Sequence, residues 1–380
     1  MKPDYDYIIA GAGAAGLSLL VRMIKSGNFD EKRILLVDKE EKNRNDRTWC
    51  FWETGEGLFE EVIHRSWQLL GFQSHGFSKV FDISPYRYKM IRGIDFYNYC
   101  LHIIALQPNV TLQYGTVSEM HSDVDGTWLL LDKQKYSAHY IFNSILFSKP
   151  IPGNGEFYLL QHFKGWVIET AMPVFNEQEA TLMDFRVDQQ KGTTFIYVMP
   201  FSTSRALVEY TLFSKELLQP QEYDQAIHEY IKGYLGCNDY TVESEEFGSI
   251  PMTNHKFNRQ HNHIIQLGTA GGQTKPSSGY TFQFIQKHTA ALVAELSRGG
   301  QLRPRSMSSR RFHFYDSVLL NVLATGKMRG DRVFEHLFRK NPPHRIFQFL
   351  DNESSISQDL RLISSLPTLP FLKAGLEQLR

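Results

Sequence analysis

The stretch Ile8-Ile9-Ala10-Gly11-Ala12-Gly13-Ala14-Ala15-Gly16 decides how this chain is read. An apolar run, Tyr7–Ala10, leads into it, and an amphipathic stretch carrying Leu17, Leu20, Met23 and Ile24 leads out. A second apolar run, Ile34–Val37, comes next, and Gly27 is placed to stop the helix because glycine accepts a left-handed conformation without steric penalty. The pattern is strand, tight turn, helix, strand. In that context Gly11 permits the turn, Gly13 lets the backbone approach a pyrophosphate, and Gly16 lets helix and strand pack closely. The helix N-terminus, beginning near Ala14, presents free N–H groups and partial positive charge to phosphates. Asp38 lies 22 residues after Gly16, at the end of the second strand, where a carboxylate accepts hydrogen bonds from ribose hydroxyls. A bare glycine triplet would be weak; with strand, helix and acid in register, an α/β dinucleotide-binding domain is the expectation.

Farther along, Phe96–Leu106 reads as a helix, and Val110–Tyr114, Thr127–Leu131 and Tyr136–Phe147 read as strands completing that domain. From about Phe157 to Glu246 the strands lengthen (Gly165–Thr170, Phe195–Met199, Ala206–Phe213), with a helix near Gln221–Leu235; this reads as an inserted antiparallel sheet. The chain returns through Ile264–Leu267 and a glycine-rich loop, and helices are expected from Arg310 onward. The expected division is residues 1–150 with 260–300 for the nucleotide domain, 151–259 for the inserted sheet and 301–380 for a helical region. The Ser/Pro-rich stretches near Pro304–Ser309 and Ser354–Pro370 read as connections or a tail.

Composition sets bounds on this reading. Apolar residues make up 42% and charged residues 22%, and the formal charge is zero, so nothing global argues for nucleic acid. Arg298 to Arg345 is locally basic, with 11 Lys/Arg against Asp316, Asp331 and Glu335, and is interleaved with Phe312, Phe314, Tyr315, Phe334 and Phe338. That combination suits an anionic membrane surface or a solvated basic helix face. Cys50, Cys100 and Cys237 are odd in number and widely spaced, which fits a reducing compartment. The first strand starts too early for a signal peptide and no run reaches the roughly 18 apolar residues of a spanning helix, so cytoplasmic, at most peripherally membrane-bound, is the expectation. His261 and His263 lack a third ligand at metal spacing and read as surface residues; no metal is expected.

Seven motifs occur in order: DRTWCFW (Asp46–Trp52), QHFKGW (Gln161–Trp166), MDFRVDQQ (Met183–Gln190), FIYVMPFS (Phe195–Ser202), VEYT (Val208–Thr211), GSIPM (Gly248–Met252) and LGTAGGQTKPSSGYTFQFIQ (Leu267–Gln286). Together they resemble the bacterial lycopene cyclase family from about Asp4 to Gln286, with a less clear match over the last hundred residues. The resemblance implies a Rossmann-like FAD-binding domain of the glutathione-reductase type, an inserted antiparallel substrate sheet and C-terminal helices. It implies that FAD acts in its reduced form although no electrons are transferred overall, with NADPH as a candidate electron source, and that the substrate is an acyclic carotene such as lycopene. It also points to Glu209 as the catalytic carboxylate. Tyr210 stands where relatives often carry a second acid, a departure that weakens any two-carboxylate scheme.

The chemistry of the residues agrees. Cyclising a polyene end requires a proton delivered to an alkene, attack by a neighbouring double bond and loss of a proton, and one buried carboxyl with a raised pKa could serve both proton steps. An exposed strand carboxylate is the alternative for Glu209. The loop from Gly268 to Gly279 resembles the second FAD motif of related flavoproteins, making Gly268, Gly271, Gly272, Lys275, Pro276 and Gly279 flavin-side candidates, against a plain glycine-rich turn. Arg47 and Trp49 could reach flavin or substrate, and a buried ion pair and a core indole account for them equally. Two other functions stay open: a flavin monooxygenase on a hydrophobic substrate, and a non-catalytic carotenoid-binding flavoprotein.

Overall fold

In the computed structural model, which describes residues 2–299, 302 and 309–379, the N-terminal motif forms β1 (Tyr5–Ala10), α1 (Ala14–Ser26) and β2 (Ile34–Asp38). Gly27 closes α1 at φ 65°, its N–H bonded to the Ile24 carbonyl. Then come β3 (Thr48–Glu53), β4 (Arg65–Trp67), β5 (Leu69–Ser74), β6 (Phe77–Asp82), β7 (Arg87–Arg92), α2 (Gly93–Ala105), β8 (Val110–Tyr114), β9 (Val117–Asp123), β10 (Gly126–Leu131) and β11 (Gln134–Asn143). The middle of the chain gives β12 (Tyr158–Thr170), β13 (Glu179–Asp184), β14 (Thr193–Pro200), β15 (Arg205–Ser214), α3 (Pro220–Gly233) and β16 (Tyr240–Thr253). It closes with β17 (Gln260–His261), β18 (Ile264–Gln266), a short 3₁₀ turn at Gly268–Gly271, α4 (Phe282–Leu296), α5 (Arg310–Ala324), α6 (Gly330–Lys340), α7 (Pro343–Leu350), α8 (Ile356–Ile363) and α9 (Thr368–Gln378).

Strands β18, β11, β1, β2 and β8 lie parallel in that order, with β17 and the β9–β10 hairpin added antiparallel. Ile8, Ile9 and Leu35 to Val37 have no exposed surface, as expected of parallel strands covered on both faces. On one face α1 packs beside α4, where Arg22 bonds Thr289 and Gln286. This is the doubly covered sheet that the glycine motif announces.

The second sheet runs β16-β12-β15-β14-β13-β5-β6. It is antiparallel except where β5 pairs parallel with β13, and β5 and β6 come from residues 69–82, well ahead of the stretch from which the sequence predicts it. Side chains along its strands alternate between its two faces. Trp166, Ile168, Val208 and Tyr210 face α3, against Tyr223 and Ile227. Phe195, Leu207 and Phe213 face the other way, toward the C-terminal helices.

Two expectations need correction. Ser354–Pro370 is largely helical: Ser355 and Gln358 form a reciprocal capping box that starts α8, and Pro370 sits in the first turn of α9, where its missing N–H removes no helical bond. In the basic aromatic segment, Phe312, Phe334 and Phe338 are buried in the core. The cations Arg329, Arg332 and Arg339 pair with Asp331 and Glu335, so those three phenylalanines offer no lipid-facing surface, while Phe314 and Tyr315 are half-buried. Residues 303–308, which include most of the Pro304–Ser309 stretch, lie outside the described residues.

Candidate active site

A cavity of about 510 Å³ opens where the two sheets meet. One end is the N-terminus of α1, with Gly13, Ala14 and Ala15 in the wall. No side chain caps that helix, and a Cβ on Gly13 would meet nothing within 4 Å, so free N–H donors face open space of the kind a phosphate takes. The other two glycines act by packing. A Cβ on Gly16 would strike the Gly11 carbonyl oxygen, and Gly11, at φ 99°, is pressed against Ser144. Gly268, at φ 57°, and Thr269 close the cavity from the facing loop, within van der Waals reach of Ala15. The residues present therefore fit a dinucleotide diphosphate.

The structure does not bring every sequence-predicted residue to this cavity. Asp38 is buried behind it and already accepts from the Ala12 N–H (2.6 Å) and from Lys42 (2.9 Å). Gly271 and Gly272 shape the turn, against the Gln266 carbonyl and the Phe257 ring, and line no part of it. Lys275 and Pro276 lie on a neighbouring cavity. The Lys275 ammonium is 2% exposed and is 2.9 Å from Asp316 and 2.6 Å from Asn352, tying the glycine-rich loop to α5. Gly279, at φ 73°, does line the cavity and faces Gln161 so closely that no side chain fits. Arg47 lines it while paired to Asp46. Trp49 lines it with its indole packed on Phe96, Tyr97 and Phe282. His261 and His263 are exposed at the far edge of the parallel sheet.

At the other end is Glu209. It projects from β15 on the cavity side and is half-buried there, and Thr211, two residues on and therefore on the same face, donates to its Oε1 (2.8 Å). Tyr210 points to the opposite face, under α3, against Tyr223. A second acid at 210 would therefore not share the cavity. The partner comes instead from β16. Gly165 on β12 pairs with Glu209 on one side and with Glu246 on the other. A Cβ on Gly165 would meet the Glu246 Cγ at 3.2 Å and the Glu209 Cβ at 3.4 Å, so the missing side chain lets the two carboxyls converge. Glu246 accepts from the Thr48 hydroxyl (2.7 Å), and its other oxygen, Oε1, is buried with no hydrogen-bond partner among the described residues.

Burial first, and then the negative charge of Glu246, push the Glu209 carboxyl well above the carboxylate range, against the opposing bond from Thr211. Glu246 is also raised by burial, and its bonds from Thr48 and Glu209 work against that rise. One proton shared by the pair, resident on Glu209, satisfies the geometry: it supplies the donor that Glu246 Oε1 lacks.

Around the pair stand Tyr88, Tyr197 and Tyr280, whose phenols burial holds neutral; the Tyr88 and Tyr280 hydroxyls are 3.3 Å apart. Phe163, Met199 and Leu207 complete the wall. Sequence reasoning missed Glu246, Gly165 and the three tyrosines. The signal for Glu246 lay in the run Glu243-Ser244-Glu245-Glu246, where only the strand register shows which acid turns inward.

The family described as lycopene cyclase protein matches residues 6–376. The chain belongs to the lycopene cyclase family. The match continues through the C-terminal hundred residues, where the motifs alone were unclear. Lycopene beta-cyclase of Pantoea ananas is 24% identical over 98% of this chain and 98% of its own length. Neoxanthin synthase, chloroplastic, of Solanum tuberosum is 23% identical over 73% of this chain and 58% of its own. Among solved structures, a geranylgeranyl bacteriochlorophyll reductase-like protein from Thermoplasma acidophilum has a TM-score of 0.63 at 14% identity, covering 98% of this chain and 99% of that one. A flavin-dependent brominase has 0.59 at 13% identity, covering 95% and 98%. The fold of this family member is that of the FAD-binding monooxygenase and reductase flavoproteins.

Proposed function

We propose that the chain is a lycopene beta-cyclase, a non-redox acid/base enzyme that closes β-rings on an acyclic carotene, taking lycopene to gamma-carotene and beta-carotene by isomerisation. The observation that carries this reading is the Glu209–Glu246 pair at the end of a cavity that begins at a phosphate-binding helix N-terminus. The names of the relatives support the substrate. Residues 1–150, apart from β5 and β6, and 260–300 form the cofactor domain in this reading, and 151–259 together with β5 and β6 form the substrate wall.

Glu209, protonated in its desolvated site, delivers its proton to the terminal double bond; the π electrons form the new C–H bond and leave a tertiary cation. The neighbouring double bond attacks that cation and closes the ring. The Glu209 carboxylate then takes a proton from the carbon beside the new cationic centre, and the ring double bond forms. Glu246, held by Thr48, keeps the proton on Glu209 between turnovers. The apolar and aromatic walls keep out water that would trap the cation, and the neutral phenols of Tyr88, Tyr197 and Tyr280 turn their dipoles and ring faces toward it. Gly13, Ala14, Ala15, Gly268 and Thr269 would hold FAD, which in its reduced, anionic form supplies negative charge against the cation. NADPH is the candidate source of the electrons that would keep it reduced.

The test is anaerobic incubation of the purified protein with lycopene in liposomes, with FAD reduced or oxidised, followed by product analysis. Isomeric cyclic carotene formed only with reduced FAD is expected. Glu209→Gln should lower turnover by about 10²-fold or more while FAD stays bound. An oxygenated product formed only in air would assign the chain to the monooxygenases that share its fold, and carotene binding indifferent to Glu209→Gln, without turnover, would make it a binding protein.

Among the described residues no helix is long and apolar enough to cross a membrane. We place peripheral contact with the cytoplasmic face of the bilayer on α9, where Leu369, Leu372 and Leu376, and Leu379 just beyond, are exposed along one helical face. Leu369→Ser with Leu376→Ser should reduce co-sedimentation with liposomes.

A further inference from the structure

A second cleft, of about 530 Å³, lies beneath α9 among α5, α6 and α7. Its walls are almost wholly hydrocarbon, including Leu182, Phe334, Leu337, Phe347, Leu366 and Phe371. It meets the first cavity at two residues, Ser278 and Tyr280, which line both. Tyr280 is the partition. Its ring stands edge-on to Trp52 of the cleft, with centroids 4.4 Å apart, and its hydroxyl lies 3.3 Å from that of Tyr88 in the first cavity. Ser278 Oγ at the same junction is buried and has no hydrogen-bond partner, so no polar bridge seals this edge.

A cleft with walls this apolar favours an apolar occupant, because removing hydrocarbon surface from water is favourable in proportion to the area buried. An acyclic carotene is much longer than the end that reacts, and its remainder is unbroken hydrocarbon. Resting on the function proposed above, we infer that the cleft under α9 binds the unreacting length of the polyene, which passes Ser278 and Tyr280 while one end lies at Glu209. One end is then cyclised per binding event, and the molecule must leave and re-enter reversed for the second ring.

Gly375 lines the cleft, and a Cβ there would meet only the Phe314 ring, at 3.7 Å. Gly375→Phe therefore fills the cleft from a helix position, Gly375→Ala is its control, and Leu366→Trp is a second filling variant should the first not fold. Binding of cis-parinaric acid, a linear polyene that fluoresces when dry, reads the cleft without turnover. Filling the cleft should weaken the probe about tenfold. It should lower kcat/KM for lycopene by a similar factor and leave unchanged kcat/KM for a truncated polyene with one acyclic end. Wild-type probe binding in folded, cleft-filled protein overturns the inference. So does displacement of the probe by palmitate but not by lycopene, which would assign the cleft to a lipid chain. If the wild type forms no cyclic product from either substrate, the proposed function fails, while the binding measurement still decides the cleft.

Discussion

Glu209 lines the cavity and Glu246 lies buried beside it, on strands that do not pair directly: β12 separates them, and the missing side chain of Gly165 lets them converge. Burial raises both carboxyls, and the charge of Glu246 raises Glu209 further, so the pair favours holding a proton on Glu209.

If Glu209 must be protonated to act, activity is present below its raised pKa and lost as pH rises through it. Glu246→Gln removes the charge that helps to raise that pKa and places an amide donor beside Glu209, which favours the ionised form. The alkaline limb of the kcat/KM profile should move to lower pH, although burial still holds it above the ordinary carboxylate range. Steady-state rates across pH check this; an unmoved limb would separate Glu246 from the proton.

Gly165→Ala should separate the carboxyls. Its Cβ would meet Leu207 Cδ1 at 2.9 Å as well as both glutamates, an overpacked contact costing about 1–3 kcal/mol. Urea unfolding should show that loss, and the alkaline limb of activity should shift in the direction set by Glu246→Gln.

Lys275 tests whether the glycine-rich loop holds the cofactor or the C-terminal helices. Lys275→Met leaves the buried Asp316 without its cation and should cost about 3–5 kcal/mol, whereas Lys275→Met with Asp316→Leu should recover much of that loss. Flavin affinity in the double variant should match the wild type. A selective loss of flavin would return Lys275 to the cofactor site.

Asp351 accepts from the Trp52 indole N–H (2.9 Å), and burial pushes its carboxyl up to about 6. Its unfolded value is about 3.9. Between about pH 4 and 6 the folded chain holds a proton that the unfolded chain has released, so this group's contribution to stability is full below that window and is lost as pH rises through it. Thermal melts should show Asp351→Asn gaining on the wild type as pH is raised from 4 to 6.5, with the difference level above that.

The sequence by itself determined the β1–α1–β2 unit, because the three glycines, the apolar periods and Gly27 are local requirements of backbone geometry. It also determined the family, through ordered motifs, and pointed to Glu209 as the candidate carboxylate. Strands β3 to β7 escaped notice because they are short and several pair far along the chain, β3 with β7 and β5 with β13, and α8 and the first turn of α9 read as a connection because their prolines and serines, in caps and first turns, begin helices rather than break them. Only tertiary structure decided which acid joins Glu209: Glu245 and Glu246 are adjacent, and pairing of β16 with Gly165 turns Glu246 inward while Glu245 meets Lys164 outside. Tertiary structure likewise committed Lys275 to a buried ion pair with Asp316 and divided the apolar interior at Tyr280. Those outcomes depend on residues that the sheet register and helix packing bring together from distant parts of the chain, and no local pattern records which pairs will meet.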